Sequence, residues 1–234
     1  MMRDTIPVLF IPALAMPGEL YEDQIKEIGR KHPVIIADHR QDDNFPDMAQ
    51  RILKQAPEQF ALIGLSMGGY AAFEIMRQAP QRVSQLVLMD TNHQTDNPEK
   101  RLNRERQIAI AQSGKYESLL EPMWQGLVAP QRIDDASLKK RVTGMMRQTG
   151  ADIFIRQQKA ILTRLDSTPL LTDIRIPTLV IVGAQDQLTS PELAAKMADA
   201  IPDSRLEIVP DCGHLSVMEQ PEAVTSILQR WFDR

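Results

Sequence analysis

The chain has 234 residues, of which 43% are hydrophobic and 25% charged, and a formal net charge of -4. One cysteine excludes a disulfide framework and any zinc site built from several cysteines, and four histidines leave little for a metal cluster. The mild acidity argues against a dedicated nucleic-acid binder, and no apolar run approaches the ~18 residues of a membrane span. A chain of this length buries roughly three quarters of its unfolded surface and needs no staple to hold a core.

Met1-Met2-Arg3-Asp4-Thr5 shows no apolar region ending in a small-residue cleavage site, so no secretion signal is expected and the cytoplasm is the expected location. Val8-Leu9-Phe10-Ile11 and Val34-Ile35-Ile36-Ala37 are continuous, partly β-branched apolar runs, as buried parallel strands are. Phe60 to Gly64 and Leu86 to Met89 are two more, and Met48 to Gln55 and Tyr70 to Gln78 read as helices between them, the second closed off by Pro80. From about Thr95 to Leu171 the rhythm breaks. No β-branched run of strand length occurs there, and helical patterns dominate, as in Glu99 to Gln112 and Asp152 to Leu165. Alternation then resumes with strands at Thr178 to Gly183 and Leu206 to Val209. Helices are expected at Pro191 to Ala200, with Ser190 as N-cap and Pro191 at the first position, and at Pro221 to Phe232.

Strand–helix–strand alternation predicts an α/β fold: a doubly wound, mostly parallel sheet of about six strands. Residues 1–94 and 172–234 form its core, and residues 95–171 form an inserted helical cap. Asp96 to Asp166 carries 13 basic and 9 acidic residues, a net of +4, which leaves -8 on the remainder. Solvated helix faces account for such a split, and so does a lid that attracts an anionic substrate.

Gly64-Leu65-Ser66-Met67-Gly68 ends an apolar strand and opens a helix. Gly-x-Ser-x-Gly at that junction is the pattern of a nucleophile elbow, in which the serine occupies a strained turn and the glycines let strand and helix approach. A serine nucleophile needs a base, and the base an orienting acid. Of the four histidines, His32 and His39 flank an early strand and His93 follows Met89-Asp90-Thr91. Only His214 lies late, past the strand ending at Val209. Asp186, three residues beyond the strand Thr178 to Gly183, completes the order Ser66, Asp186, His214. Its competitor is Asp90, for which turn capping is the ordinary account. The Met67 backbone N–H and one from the loop Pro12 to Gly18, namely that of Leu14, are the expected oxyanion donors. Cys212 reads as a small buried hydrophobe. Met123, Met145 and Met146 are candidates for an adaptable acyl pocket, and Arg156 and Gln157 for further substrate contacts, with packing and solvated helix faces as the alternative accounts.

These residues together resemble the α/β-hydrolase superfamily of esterases, enol-lactonases and carbon–carbon bond hydrolases. The resemblance rests on the elbow Gly64 to Gly68, the strand and loop Thr178 to Asp186, Gly213-His214-Leu215 before Glu219-Gln220-Pro221-Glu222, and Ala79-Pro80-Gln81-Arg82-Val83 after the elbow helix. Two departures stand out. Pro12-Ala13 replaces the usual His-Gly after the first parallel strand, similar to a bacterial subgroup with Pro-Gly-Leu there and Leu20, Tyr21 and Gln24 downstream. Only seven residues precede Val8 where relatives lead with two antiparallel strands, so a six-stranded, all-parallel or nearly all-parallel sheet is expected. The resemblance implies a serine hydrolase that cleaves a carboxylic ester, lactone or related small acyl substrate. It would use Ser66, His214 and Asp186, with no metal, organic cofactor, nucleic acid or membrane involved, as a monomer or homodimer. Carbon–carbon bond hydrolysis on the same triad, or ligand binding on an inactive fold, are the alternatives.

Overall fold

The apolar runs form strands β1 (Val8–Ile11), β2 (Val34–Ile36), β3 (Phe60–Leu65), β4 (Val83–Met89), β5 (Thr178–Gly183) and β6 (Ser204–Val209) in a computed structural model describing residues 5–233. Met1–Asp4, on which the reading of no secretion signal largely rests, and Arg234 lie outside the described residues. The sheet has the order β2-β1-β3-β4-β5-β6 and every pairing is parallel, as the sequence predicts. Every residue of β1, β3 and β5 is buried, whereas the edge strands β2 and β6, and Ser84 and Gln85 near the start of β4, are partly exposed. That distribution explains why the inner strands read as unbroken apolar runs.

Helices α1 (Glu22–Ile28), α2 (Phe45–Gln55), α3 (Met67–Gln78), α4 (Pro98–Gln112), α5 (Glu117–Leu127), α6 (Ala136–Thr149), α7 (Ala151–Thr163), α8 (Thr168–Leu171), α9 (Pro191–Ala200), α10 (Ser216–Glu219) and α11 (Pro221–Phe232) complete the described chain. Successive strand side chains point to opposite faces, so the sheet feeds two cores. Val8 and Phe10 join residues of α1 and α11 on one face, while Leu9 and Ile11 join residues of α2, α3 and α9 on the other. Local chemistry sets the helix starts. The Asn44 side chain accepts from Asp47 N–H (2.9 Å) at the start of α2, which buries Phe45, Met48, Ala49 and Ile52 at helical spacing. Asn97 and Asp135 cap α4 and α6 in the same way. Ser190 occupies the N-cap of α9 by its backbone, but its side chain makes no cap bond. Here the sequence expectation holds for the position and fails for the interaction.

The chain between β4 and β5 is all helical, α4 to α8, among the described residues. Phe154, Trp124, Leu120, Met145 and Met146 from this stretch join the core that contains Met16, Leu215 and Val217. The stretch thus shares apolar packing with the carboxyl edge of the sheet. No described helix is long and apolar enough to cross a membrane.

A very close backbone contact lies between β1 and α3. A Cβ on Gly68 would stand 2.1 Å from the Ile11 carbonyl oxygen, a backbone atom that cannot step aside, and one on Gly64 would meet the Gly68 carbonyl oxygen at 2.4 Å. A Cβ on Gly144, inside α6, meets nothing within 4 Å. Gly68→Ala is therefore expected to cost about 3 kcal/mol or more, and Gly144→Ala to add about 1 kcal/mol, in urea denaturation.

Candidate functional site

Ser66 joins β3 to α3 with φ 53° and ψ -113°, a region that non-glycine residues rarely occupy. The conformation is held from both sides: Ser66 N–H donates to Met89 O (2.9 Å), and the Thr91 hydroxyl donates to Ser66 O (2.8 Å). Ser66 Oγ is thereby presented at the carboxyl edge of the sheet. His214 Nε2 lies 2.9 Å from it, and His214 Nδ1 lies 2.8 Å from Asp186 Oδ2. The three residues come from the loops after β3, β5 and β6, which parallel strands bring to one edge. With Nδ1–H donating to the carboxylate, Nε2 is left as acceptor for the serine hydroxyl. This arrangement can move a proton off Ser66.

Asp186 is itself anchored. Its Oδ1 accepts from Leu188 N–H (2.8 Å) and Thr189 N–H (3.0 Å), and its Oδ2 accepts from the Thr189 hydroxyl (2.6 Å). Burial works against its charge, but His214 and the bonds from His214 and Thr189 bring its pKa below the ordinary value. Burial likewise disfavours a charged His214. The charge and hydrogen bond of Asp186, then the charges of Asp90 and Glu219, outweigh it and raise the imidazole pKa.

Asp90, the rival acid, is fully buried and turns elsewhere. Its Oδ1 accepts from Gly183 N–H (3.0 Å), and its Oδ2 accepts from the Ser216 hydroxyl and N–H. Burial first, then the negative charge of Asp186, push its carboxyl well above the ordinary carboxylate range. The environment therefore separates the two carboxyls, and the imidazole bonds to the charged one. Glu219, also buried, accepts from the N–H groups of Ala129 (2.8 Å), Gly213 (3.0 Å) and Leu215 (3.3 Å), while His214 N–H donates to Leu127 O (3.1 Å). The histidine loop is thus strapped to the end of α5. Cys212 is buried, and burial followed by the charge of Asp90 pushes its thiol up, so it packs as a neutral thiol.

Leu14 shares with Ser66 and His214 a cavity of about 360 Å³, and Met67 opens α3, where the first N–H groups have no intrahelical partner. The loop after β1, in which an oxyanion donor is expected, is braced from the helical stretch. Ala15, in the left-handed conformation at φ 56°, donates its N–H to Gln157 Oε1 (2.8 Å), and its carbonyl accepts from the Thr149 hydroxyl (3.0 Å). Gln157 Nε2 donates to His39 O (3.3 Å), and the His39 ring bonds Ala13 O (3.3 Å). Burial lowers the His39 pKa to about 4, so the ring is neutral around pH 7. Leu14 is therefore flanked by two pinned residues. Gln24, fully buried, donates to Val217 O (3.2 Å) and to the Thr225 hydroxyl (3.2 Å), and the Tyr21 hydroxyl donates to Ile11 O (2.9 Å). These bonds give the Tyr21 and Gln24 positions a physical role in tying α1 to the end of β1 and to the segment behind His214.

Of the side chains expected to line a pocket, Met123 does so. Met145 and Met146 instead pack into the apolar core, because α6 turns that face inward towards α5 and α7. Gln157 lies beneath the oxyanion loop, and Arg156 Nε donates to Arg40 O (3.1 Å), so neither faces the cavity. The lining that sequence periodicity did not single out comes from α4: Lys100, Asn103, Arg104 and Gln107. Their i, i+3, i+4, i+7 spacing on a polar helix marks a shared face without saying what that face meets.

A family model described as alpha/beta hydrolase fold matches residues 41–221. An esterase from Thermogutta terrifontis, solved with malate bound, superposes with a TM-score of 0.92 at 29% identity, covering 97% of this chain and 89% of that one. A pimeloyl-[acyl-carrier protein] methyl ester esterase from Pectobacterium atrosepticum is 28% identical over 185 residues, 76% of this chain and 72% of its own. The 2-hydroxy-6-oxononadienedioate/2-hydroxy-6-oxononatrienedioate hydrolase of Escherichia coli K12 is 26% identical over 200 residues, 80% of this chain and 69% of its own. With its parallel sheet and elbow, the chain belongs to the α/β-hydrolase fold family and is an enzyme of that family.

Proposed function

We propose that this enzyme is a serine hydrolase that cleaves carboxylic esters or related small acyl substrates through an acyl-enzyme. The observation that carries the reading is the continuous hydrogen-bonded line from Ser66 Oγ through the His214 ring to Asp186. Ser66 Oγ attacks the carbonyl carbon while His214 Nε2 takes its proton, and the imidazolium is stabilised by the charged Asp186. The Leu14 and Met67 N–H groups receive the developing oxyanion. His214 then protonates the departing alcohol. Water, deprotonated by the same imidazole, attacks the acyl-enzyme and releases the acid and Ser66. The helical stretch 95–171 serves as the lid over this site. A small-molecule substrate is the partner this geometry calls for.

Carbon–carbon bond hydrolysis is a second reading, favoured by the dienedioate hydrolase relative. A panel of 4-nitrophenyl esters, lactones, thioesters and dienol-ketones separates it from ester cleavage.

A fluorophosphonate probe is expected to label the protein. Ser66→Ala is expected to abolish labelling and to lower kcat for a 4-nitrophenyl ester by at least about 10⁴-fold; absence of labelling on folded protein overturns the reading. The base must be neutral to act, and His214 has its pKa raised above the ordinary 6.5. Activity is thus expected to be full above that raised value and to fall as pH drops through it. Asp186→Asn removes the main positive contribution to the shift, so the His214 midpoint followed by NMR moves down. Gln157→Leu removes the acceptor that fixes Ala15. It is expected to lower kcat about tenfold or more while KM changes little, since the loss falls on the transition-state oxyanion.

A further inference from the structure

The net +4 of the helical stretch does not by itself say which of its cations border the cavity, and several of them are paired away from it. Arg132 pairs with Asp135, Lys139 with Glu121 and Arg147 with Glu117. What distinguishes the cavity is the sign and hydrogen-bonding character of one wall. Among the described lining residues there is no aspartate or glutamate, and the charged side chains besides the His214 ring are Lys100 and Arg104. Asp96, outside the lining, is shared by Arg104 and Arg164, so that trio keeps a net positive charge and Lys100 adds another.

The wall is also oriented to donate. Gln158, fully buried, accepts from Arg104 Nη1 through its Oε1 (2.8 Å) and donates through its Nε2 to Gln107 Oε1 (2.7 Å). The Gln107 carbonyl is thereby occupied and its amide NH₂ is left to face outward. Lys100 Nζ uses one N–H on Leu188 O (3.2 Å), which leaves two, and Arg104 uses Nε and one Nη1 N–H of its five donors. The remaining polar capacity of Lys100 and Arg104 is donor-only. The rest of the lining is largely apolar: Leu14, Met16, Met123, Leu127 and Ile161.

We infer that the α4 wall is a subsite for a carboxylate on the substrate, so that the preferred substrates are monoanionic acyl esters with an apolar segment between the ester and a free carboxylate. This rests on the proposed acyl-transfer reading and assigns its substrate class. A neutral substrate leaves the remaining donors of Lys100 and Arg104 to solvent, whereas a carboxylate offers them only acceptors.

The test compares mono-4-nitrophenyl adipate with its isosteric neutral amide, 4-nitrophenyl 5-carbamoylpentanoate, on the full-length protein. The expected result is kcat/KM higher for the anion by about fivefold or more, chiefly in KM, with the advantage shrinking as ionic strength rises. Lys100→Glu is expected to bring that ratio to one or below. Lys140→Gln, which changes the charge of the exposed outer face of α6, is expected to leave the ratio as it was. Equal kcat/KM for the two esters overturns the subsite, as does a preference that survives both Lys100→Glu and Arg104→Gln. If neither ester is cleaved and the fluorophosphonate probe does not label, the acyl-transfer reading itself fails.

Discussion

The site depends on how closely β1 and α3 pass each other. With 2.1 Å between a notional Gly68 Cβ and the Ile11 carbonyl oxygen, the helix packs against the strand with no room for a side chain. That approach forces the chain to turn from β3 into α3 within one residue, and Ser66 takes the positive φ that the turn requires. The strain is held by the Ser66 N–H bond to Met89 O and by the bond that the Thr91 hydroxyl donates to Ser66 O. Its consequence is that the hydroxyl and the free N–H groups at the start of α3 occupy one spot. Parallel topology does the rest, since the loops after β1, β5 and β6 open on the same edge as the elbow.

Two buried carboxyls next to one imidazole pose an electrostatic problem, and the structure solves it by hydrogen bonding. Asp186 receives two backbone N–H groups, a hydroxyl and the His214 ring, which keep it charged despite burial. Asp90 receives fewer such bonds in a deeper position and is pushed towards its neutral form. Asp90 ties the end of β5 to the start of α10 through Gly183 and Ser216, so it holds the two loops that deliver Asp186 and His214. At Glu219 burial outweighs the bonds and raises the pKa, while three backbone N–H groups around the histidine loop fill its acceptors.

The helical stretch between β4 and β5 does more than cover this edge. Thr149 and Gln157 hold Ala15, so the conformation of the loop after β1 depends on α6 and α7 staying docked. The bonds from these helices give the Pro12-Ala13 loop its fixed shape without a glycine. α4, by contrast, is mostly exposed, and it contributes a face that is polar on both the solvent and the cavity side. The reading of substrate preference proposed above comes from that face and not from the net charge of the stretch.

The amino-acid sequence determined the alternation of strands and helices, the all-helical stretch between β4 and β5 and the strand–turn–helix at Ser66, because each is written in local pattern. Unbroken β-branched runs mark buried strands, and Gly-x-Ser-x-Gly between strand and helix marks a turn that only small residues permit. The sequence also ordered Asp186 and His214 after strand ends, which suffices to place them on one edge once the sheet is parallel. The sequence favoured Asp186 over Asp90 although both follow strands. The tertiary structure adds that the His214 ring bonds Asp186 while Asp90 faces Gly183 and Ser216. The pocket wall was out of reach. Helical periodicity groups Lys100, Asn103, Arg104 and Gln107 on one face, but an exposed helix presents polar residues all round. Only the docking of α4, α5 and α7 over the sheet decides that this face borders the cavity while Gln157 and Arg156 turn away from it.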